Sequence, residues 1–126
     1  MARILIVDDD PDVVEALNLL LREQDHETAV AYNRKEGMQQ VDAFAPDLII
    51  LDVMMEQPDD GLTMAQDLRR NNFTKPILML TTVSKATGLD IGQDDEMVPV
   101  DDFQEKPISP AMLTSKVSEL LAKAEG

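Results

Sequence analysis

The apolar positions fall into two kinds of run. Residues 4–7, 48–51 and 77–80 are short, almost solid aliphatic blocks. Blocks of this length predict strands covered on both faces, as in a parallel sheet. Between them the spacing changes. Val13, Val14, Leu17, Leu20 and Leu21 recur at helical intervals. Asp10 stands before them as an N-cap, and Pro11 takes the first helical position, where its missing amide costs nothing. Leu113, Val117, Leu120 and Leu121 repeat the stripe behind Ser109 and Pro110. Weaker signals fill the gaps. Residues 27–31 predict a strand, and 35–44 a short helix with Asn33 as cap and Gly37 as a weak point. Residues 61–71 predict a helix carrying Leu62, Ala65 and Leu68 inward, and 101–105 a last strand around Phe103. The fourth helix should lie in 82–100, but Gly88, Gly92 and Pro99 there predict a short or irregular one. Strand and helix alternating in this way predict an α/β fold with a parallel sheet, helices on both faces and right-handed crossovers.

Composition narrows the function classes. A length of 126 residues predicts one domain spanning 1–126, with no output domain. Acids outnumber bases 25 to 11, a net charge of −14. That argues against nucleic acid or an anionic membrane as the main partner, and favours a cationic partner or a bound cation. Cysteine is absent and histidine occurs once, which excludes disulfides, thiolate sites and multi-histidine zinc. No apolar run approaches the ~20 residues of a membrane span, and Asp8, Asp9 and Asp10 cut off the first block. A cytoplasmic protein is expected.

Open parallel sheets bind ligands beyond the carboxyl ends of their strands. The first block ends in Asp8 and Asp9, the third strand in Asp52, the fourth in Thr81 and Thr82, the fifth in Glu105 and Lys106. Taken singly these have ordinary structural readings. The acidic run could cap the next helix, Asp52 could serve a turn, Thr81 suits a strand end and Lys106 a solvated loop. Taken together they reach one rim. Carboxylates gathered there repel one another unless a cation joins them, and hard oxygen ligands suit Mg²⁺ or another divalent cation. With a lysine and a hydroxyl beside them, the set suits phosphoryl transfer, in which a carboxylate can itself be the nucleophile. His26 reads as a surface residue at a helix-to-strand turn, and Met64 as filler.

The segments ILIVDDDPD from Ile4, PDLIILDVMM from Pro46, PILMLTT from Pro76 and FQEKPISP from Phe103 resemble the response-regulator receiver domain of two-component signalling, over essentially the whole chain. The resemblance implies a flavodoxin-like, doubly wound sheet of five parallel strands in the order 2-1-3-4-5. It implies that Asp52 is the phosphorylated aspartate, with Asp9 binding the metal directly and Asp8 largely through water. The Met54 carbonyl would be a further ligand. Thr81 would bond the phosphoryl group, Lys106 would pair with Asp52 or the phosphoryl group, and Phe103 matches the switch aromatic. A sensor histidine kinase or histidine phosphotransfer protein would be the donor, in a phosphorelay or a simple pair. The output would be an unknown downstream protein, met by a monomer or weak homodimer through the fourth helix, fifth strand and last helix. Such a protein is a signalling phosphoacceptor that catalyses its own phosphorylation and dephosphorylation, not an enzyme with a turning-over substrate.

The chain departs from the family pattern near Asp52. Glu56 stands where proline is usual, Gly61 lies one residue late, and Thr82 replaces the usual small residue. Glu56 and Thr82 are therefore expected to modulate phosphorylation. Two other classes share part of the pattern. A degenerate receiver would bind partners without phosphorylation. A haloacid dehalogenase-type phosphatase would need an acid two residues after its nucleophile, where Met54 stands.

Overall fold

Each aliphatic block forms a strand, and each helical stripe within the described residues forms a helix. The computed structural model describes residues 2–52, 60–81, 102–105 and 109–125. The order is β1 (Arg3–Val7), α1 (Pro11–Glu23), β2 (Glu27–Ala31), α2 (Arg34–Phe44), β3 (Leu48–Asp52), α3 (Asp60–Arg70), β4 (Ile77–Thr81), β5 (Asp102–Glu105) and α4 (Pro110–Glu125). The helix expected within 82–100 lies outside the described residues, so α4 is the predicted last helix.

The strands make one parallel sheet in the order β2-β1-β3-β4-β5, as the resemblance implied. Alternating side chains send the core to opposite faces. Ile4 and Ile6, Leu48 and Ile50, Leu78 and Leu80 pack with Val14, Leu17 and Leu21 of α1 and Leu113, Val117 and Leu120 of α4. Leu5 and Val7, Ile49 and Leu51, Ile77 and Met79 pack with Met64, Ala65 and Leu68 of α3. The solid aliphatic blocks are thus explained by burial on both faces.

Start signals act as read. Asp10 accepts from the Asp12 amide at 3.0 Å, Asn33 from Glu36 at 2.8 Å and Ser109 Oγ from Met112 at 3.2 Å. Gly37 needs a different account. It is buried, and α2 runs through it unbroken. A Cβ there would lie 2.8 Å from Met64 Cε and 3.2 Å from Val7 Cγ1, so glycine serves a close approach of α2 to α3 and β1. His26 is half-buried and does more than face solvent. Its Nδ1 accepts from the Ala2 amide at 3.1 Å, while its own amide reaches the Leu21 carbonyl past Asp25, whose φ is 66°. Among the described residues, no helix is long and apolar enough to cross a membrane.

Candidate functional site

Register brings the acids together. Val7 pairs with Leu51 and Asp52 with Leu80, so Asp8 and Asp52 leave adjacent strands at one level, on the carboxyl edge of the sheet. One carboxylate oxygen each from Asp8, Asp9 and Asp52 lies within 4.8 Å of the others. The three differ in exposure. Asp8 is 1 % exposed and Asp52 6 %, whereas Asp9 is exposed.

The β1–α1 turn divides the acidic run by task. Asp10, whose backbone is still extended, caps α1, and its carbonyl accepts from Val14 at 3.1 Å. Asp10 also donates its own amide to Asp8 Oδ1 at 2.9 Å, and the Asp8 amide reaches the Ala31 carbonyl at 3.1 Å. The capping role therefore belongs to Asp10 alone. Asp8 is held by backbone on two sides, and Asp9 projects at the rim. Burying a carboxylate is costly unless hydrogen bonds or a cation compensate it.

The donor set fits a hard divalent cation. Oxygens that share an octahedral ion at ~2.1 Å are about 3 to 4 Å apart. A group already within 4.8 Å needs only small inward movement to reach that spacing. Carboxylates favour Mg²⁺, Mn²⁺ or Ca²⁺ over softer metals.

The remaining predicted residues are placed less fully. Thr81 ends β4, next to the strand carrying Asp52, and pairs in register with Glu105. Phe103 lies within β5 opposite Met79. Met54, Glu56, Thr82 and Lys106 lie outside the described residues. The layer beneath the acids, where Val7, Leu51 and Met64 are all fully buried, follows the expected burial of the aliphatic blocks. The close Gly37–Met64 approach there had no signal in spacing alone.

Residues 4–118 match the model of the response regulator receiver domain. The chain is 33 % identical over 127 aligned positions to the alkaline phosphatase synthesis transcriptional regulatory protein PhoP of Bacillus subtilis, covering 98 % of this chain and 50 % of that protein. It is 35 % identical to the regulatory protein VanR of Enterococcus faecium, covering 96 % and 50 %. The chain thus spans about half the length of the curated relatives it matches. Among solved structures, the receiver domain of Francisella response regulator 1452 is similar at a TM-score of 0.82 and 25 % identity, covering 98 % of each chain. The BeF3-activated N-terminal receiver domain of Klebsiella pneumoniae RstA is similar at 0.77 and 28 %, covering 94 % and 97 %.

Proposed function

Because the chain belongs to the response regulator receiver domain family, we propose that it takes a phosphoryl group from a phosphohistidine donor onto Asp52 and signals through the resulting change of shape. The observation that carries this reading is the meeting of Asp8, Asp9 and Asp52 within 4.8 Å at the carboxyl edge. A carboxylate oxygen of Asp52 attacks phosphorus, the P–N bond breaks, and its electron pair stays on the imidazole nitrogen. Asp9 would hold Mg²⁺ directly, Asp8 through water, and Asp52 and the Met54 carbonyl would complete the protein ligands. When bound, the cation supplies positive charge against the gathered carboxylates and the phosphoryl oxygens.

The rest of the chain acts on the product. The acyl phosphate carries nearly two negative charges. The Thr81 hydroxyl would donate to one phosphoryl oxygen and Lys106 would pair with another. Drawing the ends of β4 and β5 inward would repack Phe103, and the surface of β5 and α4 would then meet a downstream protein. Thr82 and Glu56 would set the rate and lifetime. Attack of water on phosphorus would return Asp52 to its resting state. A cytoplasmic setting and a histidine kinase or phosphotransfer partner go with this reading.

The test is labelling with a small phosphodonor in Mg²⁺, read by intact mass. Wild type should stop near one phosphoryl group per chain. Asp52→Asn should fold and take none, since an amide keeps the shape but is not a nucleophile. Continuous phosphate release would point to a phosphatase. No labelling of wild type would point to a phosphorylation-independent binding module.

A further inference from the structure

Directly below the acids lies a packed layer. Val7 precedes Asp8, Leu51 precedes Asp52, and both are fully buried in one cluster with Met64 of α3. Val7 sits in a strand flanked by parallel partners on both sides, where it has least room to move. Met64 stands near the start of α3, the helix that follows the chain leaving Asp52. Gly37 closes this layer from α2. A methyl group there would meet Met64 Cε at 2.8 Å, Met64 Sδ at 3.2 Å and Val7 Cγ1 at 3.2 Å. A methionine tail usually yields cheaply. This one is 0 % exposed, so it can swing only into other packed groups.

We propose that Gly37 is a positioning residue for the acid cluster. Lacking a side chain, it leaves room for Met64 and Val7 to pack close about its Cα, and this packing sets the spacing of the layer on which Asp8 and Asp52 stand. An added methyl pushes Met64 and the first turns of α3 away from β1. The carboxylates then separate and hold a divalent cation less well. The inference rests on the reading of the cluster as a cation site.

The experiment is a Mg²⁺ titration of the full chain, followed by the amide chemical shifts of Asp8 and Asp9, with urea unfolding measured in parallel. Gly37→Ala should raise the Kd by about fivefold or more, less than loss of a residue bonded to a ligand costs. Gly37→Ala combined with Met64→Ala should bind within about twofold of Met64→Ala alone, because the tightest approach, 2.8 Å to Met64 Cε, is gone. Val117→Ala, in the core on the opposite face, should lower stability and leave the Kd unchanged. A Gly37→Ala protein that binds like wild type, whatever its stability, overturns the inference. So does a defect that Met64→Ala fails to relieve. Should Gly37→Ala not fold, a double variant that folds and binds like Met64→Ala supports the contact, and one that also fails to fold overturns it. Absence of saturable shifts in wild type overturns the cation reading instead, and the inference with it.

Discussion

The two edges of the sheet handle negative charge in opposite ways. At the amino edge, Arg3 gathers its surroundings. Its Nε lies 3.1 Å from Glu27 Oε2, its guanidinium donates to the Phe44 carbonyl at 3.2 Å, and it sits 5.7 Å over the Phe44 ring. Its amide donates to Asp47 Oδ2 at 3.0 Å. Glu27 and Asp47 there each meet a donor on β1, and the pair with Glu27 is 53 % and 63 % exposed. At the carboxyl edge, three acids face one another, and two of them are nearly buried. Exposed acids beside a base contribute little and perturb little. Acids gathered beside acids repel one another, and a cation held among them offsets that repulsion, which is how a binding site differs from a solvated rim.

The largest expected effect is at the carboxyl edge. Asp9→Ala should abolish Mg²⁺-dependent labelling, and in metal-free buffer its melting temperature should rise, because a repelling charge is gone. Labelling at the wild-type level would remove Asp9 from the site.

Arg3→Ala tests the other edge. It gives up an exposed ion pair and a cation–π contact, together worth about 1 kcal/mol. Urea unfolding should show that loss while labelling stays at wild-type rate. Slower labelling would mean that the two edges are coupled.

The smallest effect concerns His26, also at the amino edge. Burial, and after it the chain's α-amino group, hold its pKa below the ordinary 6.5, with Asp25 opposing them. The folded state therefore favours the neutral ring, whose Nδ1 accepts the Ala2 amide. The unfolded chain takes up the proton first, so this contribution to stability is present above pH 6.5 and is lost as pH falls through that value toward the folded pKa. His26→Gln keeps an acceptor without titrating. Between pH 7.5 and 5.5 wild type should lose more stability than this variant, and equal losses would refute the linkage.

Much of the candidate acid cluster is legible in the sequence. Asp8, Asp9 and Asp52 each follow an aliphatic block, and a parallel sheet places such residues on one edge. The caps at Asp10, Asn33 and Ser109 were also readable, because capping depends on residues within one turn. Gly37 was misjudged for a related reason. Helix propensity counts its flexibility as a weakness, whereas its value lies in Met64, 27 positions along the chain. The same holds for His26, whose bond to Ala2 joins residues 24 positions apart.

Local sequence determined the kind of each described element, the capped starts of α1, α2 and α4, and the residues offered at the strand ends, because periodicity and capping act over a few residues. Which acids come within 4.8 Å, and which glycine packs under the site, were decided by tertiary structure. The physical reason is that register and helix docking depend on burying both faces of the sheet at once. Burial on that scale is a property of the whole packed chain, and no short window of residues contains it.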